Sequence, residues 1–365
     1  MNGLNDLNAS LKEKTTILAL ITLATFLCLL VGCHDSLPTP KDYNLTCYAA
    51  SYGKGIYRTE NGGKSWFPLD LDQADLYAYF KRIYVDPRDK STLYIATTGG
   101  GLFTMDQNSL TLKVVNGFED ETVSSVTFAP SSLFNEQSGI EVLAATNSAG
   151  VLKARDESGT WTPCNQGLTY REVNLFFSHG NLLLAGTTKD LFRWNEDSMQ
   201  WTPASQGIQN RNVLSLGADS LATSLFAGSG SYDEERSFFQ KIPCLYKSTD
   251  QGKTWARCDE GIPDGTLVFS ISVNRARPER IYVGTSDGIY RSTDSGRNWS
   301  QVNEGLPKEL NVFDVEIMRM PDGKDVVYAA TAVGVFMTTD DDETRWVSRS
   351  YGLEPTAITS LLIVP

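Results

Sequence analysis

The sequence predicts an all-β fold, a seven-bladed β-propeller in which each blade is a four-stranded antiparallel sheet. A pattern of twelve or thirteen residues, mostly ending in Trp, recurs seven times, starting at residues 55, 101, 150, 190, 244, 288 and 334. From Trp66 to Trp346 there are six steps of about 47 residues, which is the length of a propeller blade. No helical periodicity interrupts the repeats, and 30 glycines and 15 tyrosines suit many short strands joined by turns.

Each repeat reads as four strands in a fixed order. In the sixth repeat they are VFSISV (268–273), RIYVGT (280–285), GIYRST (288–293) and a strand begun by Trp299. The second strand recurs in the other repeats at 45–50, 92–97, 141–146, 182–187, 224–229 and 326–331. Seven repeats of four strands predict 28 short strands.

The two ends of the repeat region complement each other. The first repeat lacks a first strand and starts directly at 45–50, whereas AITSLLI (357–363) is a first strand with nothing after it. We therefore expect the C-terminal strand to pair with the N-terminal blade and close the ring, which removes the exposed sheet edges that favour aggregation.

The N-terminal segment resembles a bacterial lipoprotein signal. Residues 15–32 are apolar but shorter than the roughly 20 residues of a spanning helix. They end in Leu-Val-Gly followed by Cys33, which resembles a lipobox whose cysteine receives the lipid. We predict a signal peptide (1–32), a lipid-anchored tether (33–44) and the propeller (45–365). The alternative is an uncleaved membrane anchor. The residue directly after Cys33 is His34 rather than Asp, which favours delivery of the lipoprotein to the outer membrane of the cell envelope. The anchored protein would then be periplasmic or surface-exposed.

Four cysteines remain for the propeller. Cys244 and Cys258 flank one hairpin symmetrically about residue 251, so a disulfide between them is one alternative and two free thiols are the other. An exported compartment permits the bridge, which would close a loop of about 15 residues and contribute about 3 kcal/mol. Cys47 and Cys164 lie in different repeats, and we expect them to be buried and unpaired.

The turn between the third and fourth strands resembles the Asp-box, S-x-D-x-G-x-x-W. Its Asp or Asn accepts backbone N–H groups, its Gly supplies a positive φ, and its Trp packs on a neighbouring sheet. Two copies match and the first is a close variant: Ser248, Asp250, Gly252 and Trp255; Ser292, Asp294, Gly296 and Trp299; Thr59, Asn61, Gly63 and Trp66. The repeats at 45–365 are similar to bacterial neuraminidase repeats, sortilin-type receptors, xyloglucanases and photosystem II stability and assembly factor-like propellers. In these families the box is structural, so the resemblance implies no catalytic role for it.

The chain departs from the enzymes among these families. Xyloglucanases set two propellers around a cleft, whereas this chain has repeats for one. Sialidases have six blades and an Arg-Ile-Pro signature, which is absent here. An acidic tetrad at Asp340 to Glu343 is expected to be a solvated turn rather than a calcium site. With only two histidines and no Cys-x-x-Cys, we expect no metal and no cofactor.

The candidate binding site is a long turn in the fifth repeat, GSYDEERSFFQKIP (230–243). In most other repeats the corresponding turn has two or three residues, and loops that grow on a rigid scaffold often carry binding residues. The predicted ligand-binding residues are those of this turn together with two arginines of inter-blade links on the same face: Tyr232, Asp233, Glu235, Arg236, Phe238, Phe239, Arg171 and Arg211. A tolerated surface insertion is the alternative.

Two unusual charged residues lie in the predicted innermost strands. Arg82 and Asp314 occupy a position where most repeats have a small or neutral residue, in the two repeats that flank the closing blade. We expect them to meet near the central channel as a structural pair, since charges inside a fold must be compensated.

The expected function is that of a non-enzymatic, lipid-anchored scaffold in the cell envelope. It would be monomeric, attached to the membrane by its lipid, and would bind a protein partner or a glycan on the face opposite the Asp-boxes. The alternative is a glycoside hydrolase or polysaccharide-binding protein. A net charge of −12 excludes nucleic acid as the natural partner.

Overall fold

The computed structural model describes residues 43–70, 79–156, 159–209, 211–230, 242–340 and 345–364. Within these ranges it contains 28 strands in seven four-stranded antiparallel sheets, and one 3-10 turn at Ser131–Phe134. The predicted all-β, seven-bladed fold is confirmed. The predicted signal peptide and nearly all of the tether lie outside the described residues.

The strands are numbered in chain order, and each blade uses four of them. They are β1 (Thr46–Ser51), β2 (Ile56–Thr59), β3 (Phe67–Pro68), β4 (Tyr79–Val85), β5 (Thr92–Thr98), β6 (Leu102–Asp106), β7 (Leu112–Val115), β8 (Val123–Pro130), β9 (Ile140–Thr146), β10 (Val151–Ala154), β11 (Thr162–Pro163), β12 (Val173–His179), β13 (Leu182–Thr187), β14 (Leu191–Asn195), β15 (Gln200–Pro203), β16 (Val213–Ala218), β17 (Leu225–Ser229), β18 (Leu245–Ser248), β19 (Ala256–Arg257), β20 (Val268–Val273), β21 (Ile281–Thr285), β22 (Gly288–Ser292), β23 (Ser300–Gln301), β24 (Val312–Arg319), β25 (Asp325–Thr331), β26 (Gly334–Thr339), β27 (Val347–Ser348) and β28 (Ile358–Val364).

The ring closes as the sequence predicts, because β28 is the innermost strand of the first blade. It pairs antiparallel with β1, with Cys47 opposite Ile363. It also joins both neighbouring blades, since the Thr359 hydroxyl donates to the carbonyl of Phe80 (2.8 Å) and the Leu361 N–H donates to Asp314 (3.0 Å). The last strand therefore holds three blades together.

The core lies between neighbouring blades. The second strands β13, β17, β21 and β25 are buried along their whole length. A blade packs both of its faces on neighbouring sheets, so these strands read as continuous apolar runs rather than as alternating patterns.

The turns that resemble Asp-boxes are closed by local hydrogen bonds. The Ser248 hydroxyl donates to Asp250 (2.8 Å) and accepts the Gly252 N–H (2.9 Å), while Asp250 also accepts the Thr254 N–H (2.9 Å). The turns at Asp294 and Asn61 repeat these bonds. In each turn the polar side chains serve the backbone of their own turn.

A recurring contact, which we call the blade clasp, joins each of these tryptophans to the link that follows the preceding blade. In the sixth blade the Trp299 N–H donates to the Glu260 carbonyl (2.8 Å) and its indole N–H to the Cys258 carbonyl (2.7 Å). Gly261 has a φ of +98°, and a Cβ there would lie 2.1 Å from the Trp299 carbonyl oxygen. The same contact recurs at Gly167, Gly207, Gly305 and Gly352.

The antiparallel order of the strands fixes two faces of the disc. The turns from first to second and from third to fourth strands lie on one face, which we call the box face. The turns from second to third strands and the links between blades lie on the other, which we call the link face.

Candidate functional site

The predicted ligand-binding loop lies largely outside the described residues. Its six named residues, from Tyr232 to Phe239, are not described, so their role stays a prediction. Of the two arginines predicted to accompany them, Arg171 donates to the carbonyl of Ala149 (3.4 Å), and Arg211 lies 3.6 Å from Asp190. Both are exposed on links of the link face.

Exposed aromatic side chains gather on the link face. Tyr52 lies in the turn after β1 and is 57% exposed, and its ring stacks on that of Tyr79 with centroids 4.3 Å apart. Tyr351 and Tyr170 are exposed on links, and the Lys189 ammonium lies 5.8 Å from the centre of the Tyr170 ring. Sequence reasoning did not single out Tyr52, Tyr79 or Tyr351, because nothing in the repeat pattern separates an exposed link tyrosine from a packed one.

The central channel contains a cavity of about 870 Å³. It is lined by residues of six of the seven innermost strands. Its lining includes His179 at the end of β12, Asp219 after β16, Arg275 after β20 and Arg319 at the end of β24. These positions place the cavity at the box-face end of the channel.

Arg82 and Asp314 both line this cavity, as the sequence predicted, but among the described residues no direct ion pair or hydrogen bond joins them, and they interact only through the electrostatic effect of Asp314 on Arg82. Asp314 accepts hydrogen bonds from the Ser270 hydroxyl (3.0 Å), from the Val315 N–H (3.1 Å) and from β28. Burial lowers the pKa of Arg82, but Tyr84, Asp314 and Glu316 together raise it above its usual value. Asp314 therefore joins three blades as well as compensating the arginine.

Glu316 is a channel residue that sequence reasoning missed. It lies two positions after Asp314 on β24, so both side chains project from the same side of the strand into the cavity. Burial, and then the charge of Asp314, raises the pKa of Glu316 to about 8, although Arg82 and Arg275 act in the opposite direction. The spacing of two acids by two residues on an innermost strand was the available signal.

The start of the acidic tetrad is buried rather than solvated, which corrects the sequence-based expectation. Asp340 is fully buried and accepts hydrogen bonds from Arg277 (3.0 Å), Arg280 (3.0 Å) and Tyr282 (2.9 Å). These partners belong to the sixth blade, so Asp340 links it to the seventh. Residues 341–344 lie outside the described residues.

All four cysteines of the propeller are free thiols in the structure. The hairpin register pairs Tyr246 with Arg257, so Leu245 rather than Cys244 lies opposite Cys258. The symmetry that suggested a bridge is therefore shifted by one residue, although both cysteines pack in the same buried cluster. The disulfide stays a prediction that this register disfavours.

Two kinds of feature are absent from the described ranges. These ranges contain no group of three or more His, Cys, Asp or Glu side chains placed to hold a metal ion. In the same ranges no helix has both the length and the apolar character of a membrane span.

Comparison with known proteins shows the fold. No protein-family model and no curated protein matches the sequence. A GH74 xyloglucanase from Xanthomonas campestris matches at 15% identity with a TM-score of 0.61, over 86% of this chain and 53% of its own. YCF48 from Cyanidioschyzon merolae matches at 10% identity with a TM-score of 0.52, over 76% and 86%. The computationally designed Ika8 protein matches at 9% identity with a TM-score of 0.56, over 89% and 92%.

These likenesses support the propeller architecture predicted from the repeats. The chain spans about half the length of the xyloglucanase that it matches. Identities of 9 to 15% show a shared fold and leave the activity of this chain to its own residues.

Proposed function

We propose that this protein is a non-enzymatic, lipid-anchored propeller of the bacterial cell envelope that binds a protein partner through its link face. The observation that carries the proposal is the stacked, solvent-exposed pair Tyr52 and Tyr79. Aromatic residues are enriched in the buried centre of protein interfaces, where they contribute large contact area at a low entropy cost. Five of the eight large exposed hydrophobic side chains among the described residues lie on this face, so the aromatic surface favours it over the box face.

The anchoring part of the proposal depends on the N-terminal sequence. Cys33 after an apolar run would carry the lipid and hold the disc at a membrane surface. Replacing Cys33 with Ala should prevent lipidation. We expect the variant to lose its incorporation of labelled palmitate and to remain as an uncleaved precursor, whereas unchanged palmitate incorporation would contradict a lipoprotein.

The repeat turns are proposed to be Asp-boxes in the structural sense. Their serine, aspartate and asparagine side chains are committed to hydrogen bonds within the turn, as at Asp250 and Asp294. Such side chains have little capacity left for a substrate. We therefore place the binding function on the link face rather than on these turns.

The test is an affinity pull-down of the full-length protein from detergent-solubilised membranes. The double variant Tyr52→Ser, Tyr79→Ser should lose a stoichiometric partner that the wild type retains. Leu221→Ser is the matched control, because Leu221 is 76% exposed but lies on the box face. A partner retained equally by all three proteins, or absent from the wild type, would refute the proposal.

A glycoside hydrolase is the second candidate, favoured by the two channel carboxyls. Such enzymes use two carboxyl groups, one of which has a raised pKa and acts as the acid. Glu316 would be that acid, with its pKa near 8. However, Asp314 already accepts three hydrogen bonds, so its position is explained by structure alone. Reducing-sugar release from a polysaccharide panel, abolished by Glu316→Gln, would establish this candidate.

A further inference from the structure

Two charged groups at the box-face end of the channel have no hydrogen-bonding partner among the described residues. Arg275 makes no hydrogen bond or ion pair with other described residues, and it is exposed at the mouth of the cavity. The Glu316 carboxyl likewise accepts no hydrogen bond from the described part of the chain. Both line a cavity of about 870 Å³, which is within the range of ligand pockets.

The charges around Glu316 leave a positive balance. Arg82 on β4 and Arg275 after β20 both act on Glu316, and its own strand contributes Asp314. With Glu316 protonated, two arginines face one carboxylate. The other charged or titratable cavity residues are Arg319, which is paired with Asp325 at 3.0 Å; Asp219, which accepts N–H groups of its own turn; and His179. The net positive charge around Glu316 therefore suits a ligand with one negative charge rather than two.

Serine hydroxyls supply neutral polar groups of the lining. Ser178 donates its proton to the carbonyl of Phe128 (2.9 Å), and Ser215 donates to that of Val268 (2.8 Å). Because their protons are engaged, their oxygens are left as acceptors, and both residues line the cavity. Acceptors of this kind suit a ligand that carries hydroxyl groups.

We propose that this end of the channel binds a small hydroxylated monocarboxylate of the hexuronic acid class. The ligand carboxylate lies against Arg82 and Arg275, since a guanidinium matches the two oxygens of a carboxylate. The protonated Glu316 donates a hydrogen bond to the ligand, and the serine oxygens accept from its hydroxyls. This site is separate from the link face and does not depend on the function proposed for that face.

The pH dependence follows from the raised pKa of Glu316. Below about pH 8 the carboxyl is protonated and donates to the anion, and above that value it becomes negative and repels the anion. We expect the affinity for D-glucuronate to fall by about tenfold or more between pH 6.5 and pH 9, the range in which this carboxyl ionises.

The experiment is isothermal titration calorimetry of the full-length protein in detergent with D-glucuronate, D-glucose and inorganic phosphate. We expect saturable binding of D-glucuronate only. Arg275→Gln should weaken it about tenfold or more, since a hydrogen bond to a charged group contributes roughly 1.5 kcal/mol or more and about 1.4 kcal/mol is tenfold in affinity. Arg297→Gln should leave it unchanged, because Arg297 is exposed on a box-face turn and does not line the cavity.

The variant Glu316→Gln separates a real site from a general effect of pH. It should bind D-glucuronate with nearly the same affinity at pH 6.5 and pH 9. The proposal is overturned if the wild type does not bind D-glucuronate, if glucose or phosphate binds as tightly, if Arg275→Gln binds like the wild type, or if Glu316→Gln keeps the full pH dependence.

Discussion

Replacing Gly261 with Ala tests the blade clasp. The residue has a φ of +98°, and an added Cβ would lie 2.1 Å from the Trp299 carbonyl oxygen. Gly117 is a matched control, because its φ is +93° but a Cβ there would have no atom within 4 Å. The two substitutions share the backbone strain and differ in the collision between blades.

The expected magnitudes follow from these contacts. An alanine at positive φ costs about 1 to 2 kcal/mol at either position. At Gly261 the overlap with backbone must be relieved by moving one blade against the next, which costs about 1 to 3 kcal/mol more, as for other overpacked sites. We therefore expect Gly261→Ala to destabilise the protein by about 2 to 5 kcal/mol and Gly117→Ala by about 1 to 2 kcal/mol.

The assay is guanidinium denaturation of the full-length proteins in detergent, followed by tryptophan fluorescence. Fluorescence suits the question because the box tryptophans are buried against the links. Equal free energies of unfolding for the two variants, within about 0.5 kcal/mol, would refute the clasp as a determinant of stability.

Three further predictions concern buried charges and thiols. Asp340→Ala should cost about 3 kcal/mol in denaturation experiments, because it removes a buried carboxylate that accepts hydrogen bonds from Arg277, Arg280 and Tyr282 of the neighbouring blade; Glu60→Ala, in an exposed ion pair, should cost less than about 1 kcal/mol. Although burial opposes the effect, hydrogen bonds from Asn298 and its neighbours lower the pKa of Asp294 to about 2. Its stabilisation is therefore complete above about pH 4 and is lost as pH falls through 2, so acid titration of Asp294→Asn should show a smaller deficit at pH 2 than at pH 5. Burial raises the pKa of Cys258 to about 12, so iodoacetamide at pH 8 should label it slowly in the native protein and within minutes in denaturant, as measured by mass spectrometry.

The architecture was predictable because each blade repeats the same pattern of strands and turns in the sequence. The innermost strand of the sixth blade was predicted at 268–273 and is observed at Val268–Val273, because a short segment rich in β-branched and aromatic residues between turn residues indicates a strand. The pairing of β28 with β1 followed from a missing strand at one end and a surplus strand at the other. Repetition made each of these inferences independent of any single residue.

Individual side chains were less predictable, because contacts between blades join residues far apart in the sequence. Asp340 looked like part of a solvated acidic run, yet it pairs with Arg277 and Arg280, some 60 residues earlier. A one-residue difference in register separated Cys244 from Cys258. The glycines of the blade clasp recur at five links between blades, but the collision that requires them arises only when neighbouring blades are in place.

The charged residues of the channel were only partly predictable from the sequence. Arg82 and Asp314 were found by comparing equivalent positions of the repeats, because a charge is unusual where most copies have a small residue. The same comparison did not reveal Glu316, whose environment depends on arginines from two other blades.

The measurement that tests the central claim most directly is site-specific photo-crosslinking in living cells. A photoreactive amino acid is placed at Tyr52 on the link face or at Leu221 on the box face, both exposed positions. We predict a discrete protein adduct from position 52 and none from position 221. An adduct from position 221 alone, or none from either position, would contradict a propeller that binds its partner through the link face.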